Sequence, residues 1–73
     1  MFGPKSFTYI VDGLTDASAA VIKKSLSIVA DIRTVAVDAG RGTVEVKAHR
    51  DVEDNVRVAC DVAGVTFRTR LRR

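Results

Sequence analysis

Six hydrophobic segments joined by short connections leave this 73-residue chain few ways to fold. In four of the segments apolar and polar residues alternate, which is typical of strands with one buried face. In the other two, apolar residues recur every three or four positions, which is typical of amphipathic helices. The predicted strands are residues 7–11, 32–38, 43–48 and 66–71, and the predicted helices are residues 17–29 and 51–63. The predicted order is therefore strand, helix, strand, strand, helix, strand.

Small polar residues and glycines mark the ends of these segments. Thr15 or Asp16 is expected to cap the first helix, and Asp51 the second, because their side-chain oxygens accept hydrogen bonds from free backbone N–H groups. Gly64 is expected to end the second helix, since glycine adopts the left-handed conformation readily. Residues 39–42 contain two glycines and are predicted to join two strands into a hairpin.

This order predicts an α+β fold, the ferredoxin-like βαββαβ sandwich, with a four-stranded antiparallel sheet and two helices on one face. We expect a single domain over residues 1–73, with its core within about residues 7–71. Strand alternation assigns one set of side chains to the helix-covered face: Phe7, Tyr9, Val11, Val35, Val37, Val44, Val46, Phe67 and Leu71. The opposite, open face is expected to carry Thr8, Ile10, Thr43, Glu45, Lys47, Arg68 and Arg70.

Positive charge is concentrated at the C-terminal end. The net charge is +3, and the last ten residues carry four arginines and no acid: Arg68, Arg70, Arg72 and Arg73. Such a basic surface attracts nucleic acid, acidic proteins or anionic lipid, and it also keeps small domains soluble. No apolar stretch approaches the roughly 18 residues of a membrane-spanning helix, so we expect a soluble, cytoplasmic protein without membrane insertion.

An enzymatic function is not indicated. The chain has one histidine, His49, and one cysteine, Cys60, which is expected to pack in the core. His49 follows the third strand and is expected at the end of the sheet opposite Gly13. A nucleophile, a base and an oxyanion site cannot be assembled from these residues. No glycine-rich phosphate loop precedes either helix.

Two stretches resemble the heavy-metal-associated domain, the module of copper chaperones and metal-pumping ATPases. Residues 11–19, VDGLTDASA, are similar to its V-x-G-M-T-C-x-x-C loop, and residues 56–65, VRVACDVAGV, are similar to the end of its second helix. The resemblance covers roughly residues 7–70 and implies the same ferredoxin-like fold.

The chain departs from that family at the metal-binding cysteines. Aligned without a gap, the two cysteine positions are Asp16 and Ala19; aligned on the first helix, they are Thr15 and Ser18. Neither alignment places a thiolate there, and thiolates are the ligands that Cu(I) and Zn(II) prefer at such sites. We therefore expect no bound cofactor, and we assign no metal ligand in this degenerate loop.

The expected function is docking to a protein partner, such as a related heavy-metal-associated domain or a metal-transport protein. In the resembling family, the end of the domain that carries the metal-binding loop is both the metal site and the docking surface. The corresponding residues here are Asp12, Leu14, Asp16, Arg41 and Val65. One alternative is heavy-metal binding through other ligands. The other, less favoured, is nucleic-acid binding through the basic last strand.

Overall fold

The computed structural model describes residues 5–71, and it has the predicted βαββαβ order. The elements are β1 (Lys5–Asp12), α1 (Asp16–Ser27), β2 (Ile32–Asp38), β3 (Thr43–Ala48), α2 (Glu53–Ala63) and β4 (Thr66–Leu71). The strands form one antiparallel sheet in the order β2-β3-β1-β4, so β2 and β4 are its edges. This is the ferredoxin-like arrangement expected from the sequence. No helix in residues 5–71 is long and apolar enough to cross a membrane.

The core lies between the helices and one face of the sheet. Its buried apolar residues come from all the elements except β4, and they are Tyr9, Val11, Ile22, Leu26, Ile32, Val44, Val46, Ala48, Val52, Val56, Ala59 and Cys60. Phe7, Val35, Val37 and Phe67 pack against this cluster with part of their surface exposed. The period-two pattern therefore assigned the inner face of β1, β2 and β3 correctly.

The prediction for the end of β4 is wrong. Val11 pairs with Phe67, but Ile10 pairs with Thr69, so Arg68 is an extra residue in β4, a β-bulge. Past the bulge the alternation is inverted, and Arg70 pairs with the buried Tyr9 on the helix-covered side. Leu71 instead pairs with Thr8 on the open face, where its surface is 57% exposed. Arg72 and Arg73 lie outside the described residues.

The helix starts also differ in detail from the predictions. Thr15, one of the two candidates, is the N-cap of α1. The N-cap position of α2 is Val52, so the assignment of Asp51 to that position is wrong. Asp51 still accepts a hydrogen bond from the backbone N–H of Glu53, at 3.0 Å, one residue ahead of the cap position. Gly64 ends α2 in the left-handed conformation, with φ 77°, as predicted.

Candidate functional site

The end of the fold that includes residues 12–16, 39–42 and 64–65 is called the loop end. The 39–42 turn is held against β1 because the Val11 amide donates a 2.8 Å hydrogen bond to the Gly42 carbonyl. Gly42 has φ 68°, and a Cβ there would lie 2.9 Å from the Val11 carbonyl oxygen. Only glycine permits this approach without a shift in the backbone. Gly40, in the same turn, does not have positive φ.

Thr15 and Ser18 form a closed pair at the start of α1. The Ser18 amide donates to Thr15 Oγ1 at 3.2 Å, and the Thr15 amide donates to Ser18 Oγ at 2.8 Å. The two hydroxyl oxygens are 3.1 Å apart, and Ser18 is only 7% exposed. This reciprocal arrangement is a capping box, and it satisfies two backbone donors that a helix start leaves unpaired.

The residues at this helix start do not fit a thiolate-type metal site. Hydroxyl oxygens are poor ligands for soft cations, and here both are engaged with each other and with the backbone. Asp16 and Ala19, the positions of the gapless alignment, offer one exposed carboxylate and a methyl group. Within residues 5–71 there is no group of three His, Cys, Asp or Glu side chains that could hold an ion.

The remaining residues of the loop end include both charged and apolar side chains. The Asp12 carboxylate forms a 2.7 Å salt bridge with the Arg68 guanidinium, and both side chains are more than half exposed. Arg41 is exposed, and it lines the same surface depression as Asp16. Leu14 and Val65 are half-buried and pack against the core. All five residues predicted for partner contact therefore lie at this end, and Arg68 joins them.

A polar cluster around Asp51 was not predicted. Its carboxylate accepts hydrogen bonds from the Tyr9 hydroxyl, at 3.0 Å, and from the Glu53 amide. It also forms an ion pair with Arg70. A signal was present, because a tyrosine at a core position must find a partner for its hydroxyl. The cluster joins the start of α2 to β1 and β4, so Arg70 has a structural contact and is not part of the open face.

The packing of β4 against α2 includes a second charged pair. Arg57 forms an i,i+4 salt bridge with Glu53 at 3.0 Å, and its guanidinium lies 4.5 Å from the centre of the Phe67 ring. The Phe67 and Tyr9 rings are 5.9 Å apart and tilted. Two of the aromatic side chains are thus used in the helix–sheet interface and are not available for stacking on the open face.

The histidine and the cysteine lie where the sequence placed them. His49 is exposed, and its amide donates to the Asp31 carbonyl, at the end of the sheet opposite Gly13. Cys60 is 1% exposed and packs in the core. Burial, with a smaller contribution from Asp61, raises the pKa of the Cys60 thiol. The Cys60 carbonyl accepts a 3.0 Å hydrogen bond from the Val65 amide of the loop end.

Cys60 is expected to react slowly in the folded protein. Because burial disfavours the thiolate, a maleimide should label it much faster in denaturant than in native buffer at neutral pH. Cys60→Ser should lower the free energy of unfolding by about 1–3 kcal/mol by burying a hydroxyl in an apolar site. The raised pKa also predicts stability that is lost as pH rises above the thiol's unfolded value, and Cys60→Ala should remove this dependence. Rapid native labelling would contradict the packing role.

Comparisons with known proteins find similarity in structure but not in sequence. A scan against protein-family models and a search of curated proteins gave no match. The structure is similar to the N-terminal domain of ZntA in the apo-form, with TM-score 0.79 and 22% identity over 90% of this chain and 92% of that one. The Zn(II)-form of that domain gives TM-score 0.76 and 23% identity, over 93% of each chain.

Two further structures extend this set. Oxidized MerP from Ralstonia metallidurans CH34 has TM-score 0.71 and 21% identity, over 90% of this chain and 96% of that one. The copper(I)-loaded first domain of CCS, the human copper chaperone for SOD1, has TM-score 0.71 and 17% identity, over 96% of this chain and all of that one. The chain shares the fold of these domains. At these identities the likeness concerns the fold, and the site must be judged on its own residues.

Proposed function

We propose that this chain is a protein-docking module related to metal-trafficking proteins, a degenerate heavy-metal-associated domain that works without a thiolate metal site. The supporting observation is the Thr15–Ser18 pair. In the resembling family two cysteines converge at the junction of the first loop and first helix, and here two hydroxyls converge at 3.1 Å instead. The helix start keeps a convergent pair of side chains but has lost the sulfur ligands.

The loop end has the composition of a small contact surface. The half-buried Leu14 and Val65 supply apolar surface, and the exposed Asp12, Asp16 and Arg41 supply charge. Protein interfaces commonly combine a desolvated apolar centre with a polar rim. The partner in this proposal is a protein of the metal-trafficking class, such as a related domain or a metal-transport protein. No catalytic function is part of the proposal.

Nucleic-acid binding is less well supported. Single-stranded RNA is bound on sheets of this topology by aromatic rings on the open face. Tyr9 is fully buried, and Phe7 and Phe67 pack against the core, so these rings lie on the other face. Arg68 and Arg70 each form an ion pair with an aspartate. Phosphate attraction would have to come from the remaining basic residues.

The docking surface is tested by reversing one charge at the loop end. The ¹⁵N-labelled chain is titrated with a metal-binding domain of the same fold taken from a metal transporter of the same organism. We expect amide shifts confined to residues 12–16, 39–42 and 64–65. Arg41→Glu should weaken binding about tenfold, because reversing the charge at this position turns an attraction across the interface into a repulsion.

Lys47→Glu is the matched control. Lys47 is exposed like Arg41 but lies on the open face near the other end of β3, so the same change in net charge should leave the affinity within about twofold. Arg68 is unsuitable as a control because its partner, Asp12, belongs to the loop end. Equal losses in the two variants, or shifts centred on the open face, would contradict the proposed surface.

A further inference from the structure

The two edges of the sheet are protected to different degrees. An edge strand presents unpaired backbone N–H and C=O groups, and proteins usually blunt it with charges or bulges. β4 carries Arg68 and Arg70 and has the bulge at Arg68 in its middle. On β2 the register shift falls between Ile32 and Thr34, close to the start of the strand. The rest of β2 pairs regularly with β3.

The regular part of β2 is suited to pairing with another strand. Thr34, Val35, Ala36 and Val37 contain no charge, proline or glycine, and two of the four are β-branched valines. Val35 and Val37 are half-buried on the helix-covered side, while Thr34 and Ala36 are exposed on the open side. An added strand would therefore extend the apolar inner face and leave small residues on the outer face.

We propose that the β2 edge pairs with the β2 edge of a second copy of this chain, antiparallel about a two-fold axis at Ala36. A two-fold interface requires a self-complementary strand. With the axis at Ala36, Val35 of each copy lies opposite Val37 of the other on the inner face, and Thr34 and Ala36 stay on the outer face. This inference is independent of the loop-end surface.

Charge complementarity favours a second copy over an unrelated strand. Arg33 and Asp38 lie on either side of the uncharged stretch, and both are exposed. With the axis at Ala36, Asp38 of each copy lies opposite Thr34 of the other, and the long side chain of the neighbouring Arg33 is within reach of that carboxylate. Two equivalent attractions form, one at each end of the paired stretch. The paired stretch is short, so a weak, concentration-dependent dimer is expected.

The test exchanges these charges and measures mass by sedimentation equilibrium over a range of concentrations. The wild-type chain should dimerise with a dissociation constant of about 10⁻⁴ to 10⁻³ M. Arg33→Asp and Asp38→Lys should each weaken self-association about tenfold, because each places like charges together at both ends. An equimolar mixture of the two variants should associate as the wild type does, since opposite charges then meet again.

Thr8→Lys is the control, because Thr8 and Ala36 both lie beside Glu45 on the open face but only Ala36 is on the edge. This variant should dimerise like the wild type. Asp38 accepts a hydrogen bond from the Arg41 amide, so circular dichroism must first show that Asp38→Lys is folded. If Asp38→Lys is not folded, Arg33→Asp alone still tests the proposal.

A wild-type chain that stays monomeric at about 2 mM overturns the proposal. The next candidate partner for this edge would then be an extended segment of another protein. A folded mixture that associates no better than the separate variants overturns the proposal as well.

Discussion

Thr15→Cys with Ser18→Cys should convert the loop end into a tight metal site. The Thr15 and Ser18 hydroxyl oxygens already lie 3.1 Å apart at the start of α1, so two sulfurs placed there should converge on one ion. Zn–S bonds are about 2.3 Å long, and a pair of thiolates three residues apart fits that geometry. We expect Zn(II) or Cu(I) affinity to rise at least about a thousandfold over the wild type, measured by competition with a chelator under reducing conditions.

The matched control is Asp16→Cys with Ala19→Cys, which introduces the same two thiols one residue further along. Asp16 is the first residue of α1, and the capping box that brings two side chains together is formed by Thr15 and Ser18 instead. The control pair should therefore bind the ion more weakly than the Thr15–Ser18 pair. A larger gain in the control would mean that the gapless alignment gives the ancestral positions. No gain in either variant would mean that the loop has lost the backbone shape of the metal-binding domains.

Asp51→Ala should be the most destabilising single change among the polar residues of the fold. It removes the partner of the buried Tyr9 hydroxyl, the acceptor for the Glu53 amide at the start of α2, and the partner of Arg70. An unpaired buried hydroxyl costs about 1–3 kcal/mol, and the loss of a side-chain acceptor at a helix start costs about 1 kcal/mol. The ion pair adds little because both side chains are partly exposed. We expect the free energy of unfolding to fall by about 3 kcal/mol in urea denaturation.

Two milder variants separate the contributions within this cluster. Tyr9→Phe deletes the hydroxyl together with its need for a partner, so it should cost only about 1 kcal/mol. Asp51→Asn keeps acceptors for the hydroxyl and the amide but loses the charge, and it should cost less than Asp51→Ala. The pKa of the Tyr9 hydroxyl is raised by burial and by its bond to Asp51. Stability that depends on the neutral hydroxyl is therefore lost as pH rises above about 10, and Tyr9→Phe should remove this part. Similar losses in Asp51→Ala and Asp51→Asn would show that the ion pair with Arg70 matters most.

The fold could be predicted from the sequence because the patterns that indicate strands and helices involve residues close together in the chain. Alternation and helical spacing are properties of neighbouring residues, and they placed Val44, Val46, Ile22 and Leu26 on the correct faces. The change of face after Arg68 could not be predicted in this way, because an extra residue in a strand does not alter the alternation of the residues before it. The Tyr9–Asp51 bond joins residues 42 positions apart, so only the burial of a hydroxyl hinted at it.

For the candidate site, the sequence shows that residues 11–19 contain no cysteine, but it left two alignments open. Both Thr15 and Asp16 are good capping residues, and choosing between them requires the backbone conformation. The structure makes Thr15 the cap and pairs it with Ser18. The association of Arg68 with Asp12 was also unpredicted, since it depends on the bulge that sets where the arginine points.

The most direct test of the proposed function is the metal affinity of the unmodified chain. The ¹⁵N-labelled wild-type protein is titrated with Zn(II), and with Cu(I) under anaerobic reducing conditions, while amide shifts and chelator competition are followed. A domain that docks without a thiolate site should bind either ion with a dissociation constant weaker than about 10⁻⁵ M, and its amides at residues 13–19 should not shift as a group. A one-to-one complex of submicromolar affinity, with shifts centred on those residues, would contradict the account.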